Sequence, residues 1–234
     1  MLKIKNMKVE GFKAVTVPIT YYKSAPLDRA MDRLFVEVDR AHRAGANILI
    51  LSDRGVDENH VAIPSLLAVS AVHQHLVKTK KRTSLAIILE SGEPREVHHF
   101  ATLLGYGACA INPYLALDTI HELIEEGMIK KDYYAAVEDY NHAVISGIVK
   151  IAAKMGISTI RSYRGAKLFN TLGLAQEVLD RYFGGGVSPI AGIGIEDITA
   201  EALAAHARGF GAETMEGAPL ENTGIYKYLS LIHI

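Results

Sequence analysis

Short apolar runs that end in polar residues and lead straight into helical patterns constrain this chain more than any other feature. The clearest case occupies residues 84–117. Leu85-Ala86-Ile87-Ile88-Leu89 is too short for a lone helix and suits a strand buried on both faces. Glu90-Ser91-Gly92-Glu93 ends the run, and Pro94 stands where a helix can begin, because its missing N–H costs nothing in a first turn. Val97, Phe100, Leu103 and Leu104 recur at helical spacing until Gly105 and Gly107 close the helix. A second run, Ala108-Cys109-Ala110-Ile111, ends in Asn112-Pro113-Tyr114. This is a strand–helix–strand unit, and parallel sheets place their ligands at the strand ends where such polar residues gather.

The pattern recurs along the chain. Residues 12–22 alternate in part and read as a strand, at a sheet edge because of Pro18. Leu27, Met31, Leu34 and Val38 share one face of a helix that Gly45 stops. Ile48-Leu49-Ile50-Leu51 is a buried strand with the polar exit Ser52-Asp53-Arg54-Gly55. A helix over 63–80 carries Pro64 in its first turn and a basic end that suits the helix dipole. Helices over 116–129 and 132–155 follow, then a strand at Ile157-Ser158-Thr159-Ile160 and a helix carrying Leu168, Phe169 and Leu172. Five βα-type units between residues 12 and 183 predict an α/β fold. A full eight-unit barrel needs about 250 residues. The expected form is therefore a partial or modified TIM-like barrel, or an open sheet, with helical covers. Gly184-Gly185-Gly186-Val187-Ser188-Pro189 predicts a boundary after residue 183, followed by a helix near 197–208 and a Gly- and Pro-punctuated tail to residue 228.

Composition removes several functions. A net charge of -1 gives no general attraction to nucleic acid or an acidic membrane. No run reaches the ~18 apolar residues of a membrane helix. A single cysteine excludes an internal disulfide framework and fits a reducing cytoplasm.

Four strand exits offer chemistry: Asp53 and Arg54, Glu90 and Glu93, Asn112 and Tyr114, and Arg161 to Arg164 with Ser162 and Tyr163 between. In a parallel sheet these converge on one edge, where arginine forks suit phosphate or carboxylate. The alternative is that they pair with one another and with a neighbouring domain. His98 and His99 are adjacent on a helix and point about 100° apart, so they do not share a metal as His at i and i+4 would. Cys109 lies in an apolar run and reads as an inert thiol. Gly192-Ile193-Gly194 lacks the third glycine and the preceding strand of a dinucleotide fingerprint. No nucleophile elbow, P-loop or Cys-x-x-Cys pair appears. The residues alone define an α/β domain with a polar strand-end rim and no self-sufficient catalytic set.

Three ordered motifs add a family resemblance: NILILSDR at 47–54, REVHHFATLLGYGACAINPYLA at 95–116 and KMGISTIRSYRGAKLF at 154–169. Together they resemble the central domain of the glutamate synthase large chain, a glutamine-dependent iron–sulfur flavoprotein, over residues 9–228. The resemblance implies an oxidoreductase in which an amidotransferase domain releases ammonia from glutamine. A tunnel then leads it past the central domain to an FMN barrel, where 2-oxoglutarate becomes glutamate. It implies FMN and an iron–sulfur cluster for the whole enzyme, both held by other parts, and no catalytic, cofactor or metal ligand in this stretch. The implied partners are the amidotransferase and FMN-binding domains, with neither nucleic acid nor membrane. The implied location is the cytoplasm, or the plastid of a photosynthetic eukaryote.

Under this reading residues 1–183 form the central domain and 184–228 the join and start of the FMN domain, where Val187-Ser188-Pro189-Ile190 departs from a family-like Ser-Arg pair. The rim Asp53, Arg54, Glu93, Arg95, Asn112, Tyr114, Ser162, Tyr163 and Arg164 then faces the partner domains. Residues 229–234 do not resemble the family and resemble a translated sequencing adapter, which implies an incomplete gene. Two alternatives use the same residues: a stand-alone FMN- or phosphate-binding barrel enzyme, and a separate scaffold subunit acting in trans.

Overall fold

The computed structural model describes residues 1–166, 168–186, 188–190 and 192–210. A short helix α1 (Leu2–Lys5) precedes β1 (Ala14–Pro18), β2 (Thr20–Tyr22), α2 (Leu27–Arg43), β3 (Ile48–Ser52) and β4 (His60–Ala62). Then come α3 (Ser65–Lys78), β5 (Ala86–Glu90), α4 (Val97–Gly105) and β6 (Ala110–Asn112). The described chain ends in helices: α5 (Tyr114–Glu125), α6 (Tyr133–Lys154), α7 (Ile160–Tyr163), α8 (Gln176–Tyr182) and α9 (Ile195–Phe210).

The unbroken apolar runs of β3 and β5 put them at the centre of a parallel four-stranded sheet, ordered β1-β3-β5-β6. Leu49, Ile50, Leu51, Ile87 and Leu89 are buried. The register sets Pro18 beside Ser52, Ser52 beside Glu90, and Glu90 beside Asn112. Register partners project to the same face of a sheet, so these side chains form one row across its C-terminal edge. The predicted α/β class with parallel βα units is the architecture found.

Pro18 cannot donate to a ladder, and β1 is an edge strand as its sequence predicts. Just beyond it, the Ile19 N–H donates to the Ser52 carbonyl at 2.9 Å, and the chain leaves the sheet. It continues as β2, antiparallel to β4. The single strand expected over 12–22 is thus two strands in two sheets.

Helix α2 buries Leu27, Met31, Leu34 and Val38, the face its periodicity marks. Helix α3 is buried almost all round, because the sheet, α2, α4 and α8 all pack on it. Each Leu- or Val-sized side chain so placed stabilises the fold by about 1.5–3 kcal/mol. The buried Ser70 hydroxyl on α3 donates to the Tyr182 carbonyl at 2.8 Å, which ties α8 to the core. Gly107 makes the tight return from α4 to β6 at φ +122, where a Cβ would stand 2.5 Å from His73 Nδ1.

Two further sequence expectations fail. Residues 157–159 form no strand, and Ile160 begins the short helix α7, so the described sheet has four strands and not the five βα units expected. The reason is local: Thr159 Oγ1 and Ser162 Oγ lie 3.0 Å apart, and the Ser162 N–H donates to the Thr159 carbonyl, so this stretch closes a turn instead of joining a ladder. The helix expected around Leu168, Phe169 and Leu172 is also missing. Gly165 at φ +73 ends α7, and Phe169 packs its ring against Tyr106 and Tyr163 as part of a loop leading to α8.

Leu174, before the glycine-rich stretch, and Ile193, after it, form a parallel bridge, and α9 lays Ile195, Ile198, Ala202 and Leu203 against the same core. The tail at 211–228 and the last six residues, 229–234, lie outside the described residues.

Candidate functional site

The row formed by the sheet register becomes a hydrogen-bond network. Glu90, 2 % exposed at the end of β5, receives Ser52 Oγ at 2.7 Å and Lys5 Nζ at 2.7 Å on Oε2. Its Oε1 receives Arg54 Nε at 3.2 Å and Asn112 Nδ2 at 3.4 Å. Burial works to raise the Glu90 pKa, but the hydrogen bonds from Lys5, Ser52 and Arg54 outweigh it and hold the carboxyl below its ordinary value.

One residue along each exit loop lies a second layer. Asp53, also buried, receives Ser91 Oγ at 2.6 Å and the Gly92 N–H at 3.1 Å on Oδ2. The Arg54 guanidinium lies 4.0 Å above the centre of the Tyr114 ring. Burial, then the hydrogen bond to Asp53, push the Tyr114 phenol well above its ordinary pKa, so it stays a proton donor. Glu93 accepts the Ser65 N–H at 2.8 Å and the Ser65 hydroxyl, which places a carboxylate on the N-terminus of α3. Arg95 is fixed by its backbone: its N–H donates to His99 Nδ1 at 3.1 Å, and its carbonyl accepts the Tyr140 hydroxyl at 2.8 Å.

A cleft of about 730 Å³ opens between this rim and α9, with Asp53, Glu93 and Tyr114 on one side and Leu66, Ala202 and Phe210 among its apolar walls. The Glu90 and Asp53 oxygens are already met by donors, so the network can hold shape and bind. It does not present a carboxylate poised as a general base.

Asp53, Arg54, Glu93, Arg95, Asn112 and Tyr114 therefore gather at one edge. Ser162, Tyr163 and Arg164 do not join them, because the strand expected to carry them there is absent. Tyr163 is fully buried with its hydroxyl on the Ala101 carbonyl at 3.0 Å, and Arg164 reaches Cys109 Sγ at 3.0 Å, just before β6 begins. Arg164 thus lies at the opposite, N-terminal edge of the sheet. The sequence reading missed Lys5, and it did not single out Ser52 and Ser91, which supply donors inside the polar exits that it did mark.

His99 spends its ring on a capping box with Glu96 at the start of α4. Among the described residues, no group of three or more His, Cys, Asp or Glu is placed to hold a metal ion. The chain has one cysteine, whose sulfur accepts an arginine N–H. This donor set does not fit an iron–sulfur cluster, which needs several thiolates. The rim's carboxylates likewise offer no cradle for the phosphate of FMN.

The described residues thus form a parallel α/β unit with a hydrogen-bonded polar rim at one edge of its sheet. The glutamate synthase central domain matches residues 1–175, and the chain belongs to that family. Over 183 residues it is 48 % identical to the glutamate synthase [NADPH] large chain of Bacillus subtilis, covering 78 % of this chain and 12 % of that one. Glutamate synthase [NADH] of Schizosaccharomyces pombe is 41 % identical over 85 % of this chain and 10 % of its own length. Ferredoxin-dependent glutamate synthase 2 of Synechocystis is 37 % identical over 86 % of this chain and 14 % of its own length. The chain thus spans about a tenth to a seventh of these relatives. Among the described residues no helix is long and apolar enough to cross a membrane.

Proposed function

We propose that this domain acts within a glutamate synthase, where glutamine, 2-oxoglutarate and reductant give two glutamates. It holds the glutaminase and FMN-dependent sites in register and walls the route of ammonia between them. FMN and the iron–sulfur cluster belong to the other domains, and the enzyme works in the cytoplasm or, in a photosynthetic eukaryote, the plastid. The observation that carries the reading is the saturated rim of Asp53, Glu90, Arg54 and Tyr114 beside an apolar-walled cleft. Neutral ammonia must be kept from protonation, and the rim supports this by engaging its carboxylates in hydrogen bonds, while His99 and His206 on the same cleft are held by the Arg95 N–H and the Asp57 carbonyl.

The rim residues Asp53, Arg54, Glu93, Arg95, Asn112 and Tyr114 meet the amidotransferase or FMN domain in this reading. Amide hydrogen exchange of residues 90–95 and 112–116, compared between this chain and a full-length enzyme carrying it, tests the contact. Stronger protection in the full-length enzyme is the expected result. Equal exchange in the two contexts contradicts it.

A further inference from the structure

At the sheet's opposite edge lies a second cavity, of about 560 Å³, bounded by the residues that lead into β1, β3, β5 and β6. Arg82, Arg161 and Arg164 line it, and among the described residues no Asp or Glu does. Arg82 is held rigidly: Nε donates to His73 Nδ1 at 2.8 Å, Nη1 to the Leu85 carbonyl at 2.6 Å and Nη2 to the Gly107 carbonyl at 2.9 Å. These acceptors are not carboxylates, so they fix the guanidinium without neutralising it. Arg164 Nη1 and Arg82 Nη2 converge on one atom, Cys109 Sγ, at 3.0 and 3.7 Å. Two guanidinium groups therefore meet at one thiol, with a third, on Arg161 of α7, on the same cavity wall. Like charges brought this close repel, and an oxyanion between them offsets that repulsion while accepting guanidinium N–H groups. Phe12, 56 % exposed, and Ile48 add an apolar wall beside the cations.

We propose that this pocket binds the phosphate of a small phosphorylated molecule whose apolar part lies against Phe12. A dianion matches more than one guanidinium in charge and in acceptor oxygens, and guanidinium forks suit phosphate geometry. The site stands apart from the rim and does not depend on the inter-domain reading.

Titration calorimetry of the full chain with inorganic phosphate and with phenyl phosphate tests it. Saturable binding is expected, tighter for phenyl phosphate and weakened by added salt. Arg161→Ala and Arg164→Ala should each weaken binding about tenfold or more, since a charge-assisted hydrogen bond contributes about 1.5–3 kcal/mol. Both side chains are exposed, so thermal melts should stay unchanged. Arg164→Lys should recover only part of the affinity, because it keeps the charge and loses the fork. Three results overturn the proposal: no binding at about millimolar ligand, binding that survives both alanine variants, or binding of hexaglutamate with none of either phosphate. The last would make the pocket a dock for an acidic protein segment.

Discussion

Glu90 shows how one residue can organise an edge of the sheet. Its carboxylate is buried and ionised, with Lys5, Arg54, Ser52 and Asn112 around it. Removing a partner from a buried ion pair costs about 3–5 kcal/mol, so Glu90→Ala should cost that much in urea denaturation. Lys5→Ala leaves the other donors in place and should cost about 1–2 kcal/mol. The folded-state pKa of Glu90 is lowered, so its stabilisation is present above the unfolded value of about 4.3 and is lost as pH falls through the lower folded value. The difference in stability between wild type and Glu90→Gln should therefore shrink as acid titrates the carboxylate, and a pH-independent difference would refute that linkage. Tyr182 poses the reverse case: among the described residues its buried hydroxyl has no partner. Tyr182→Phe should leave stability unchanged or raise it by up to about 1 kcal/mol, and a large loss would reveal a hidden hydrogen bond.

The elements differ in how openly the sequence declares them. Strands β3 and β5 are legible because unbroken Ile and Leu runs have no stable place except between two layers, and their polar exits then mark the edge where Asp53, Glu90 and Asn112 meet. The stretch Ile157-Ser158-Thr159-Ile160 is not legible, since its alternation suits a half-buried strand and an exposed turn equally, and only the Thr159–Ser162 contact decides. That one ambiguity moved Arg164 from one edge of the sheet to the other. Lys5 was beyond reach because its partner lies 85 residues away and no local pattern marks it. Helix packing also hides in a single small residue: a Cβ on Gly147 of α6 would stand 2.6 Å from both Val97 methyl groups at the start of α4. Gly147→Ala should cost about 1–3 kcal/mol through overpacking, even though alanine favours a helix, and a stabilised variant would mean that α6 does not seat there.

At the scale of the whole molecule, the two ends of the four-stranded sheet differ in charge. The C-terminal edge engages its carboxylates in hydrogen bonds and opens onto a cleft partly walled by α9, whereas among the described residues no carboxylate lines the cavity of guanidinium groups at the N-terminal edge. Under the proposed function, a domain so divided suits a place between other units, with the hydrogen-bonded edge toward the ammonia route. The most direct test counts glutamates formed per glutamine consumed in a full-length enzyme carrying this domain with Arg54→Ala, a half-exposed residue whose loss opens the rim while the sheet stays intact. Coupled turnover gives two glutamates per glutamine, and ammonia lost to solvent lowers the ratio toward one. The ratio is predicted to fall while glutamine hydrolysis continues. A ratio that stays at two with the rim opened would contradict the account.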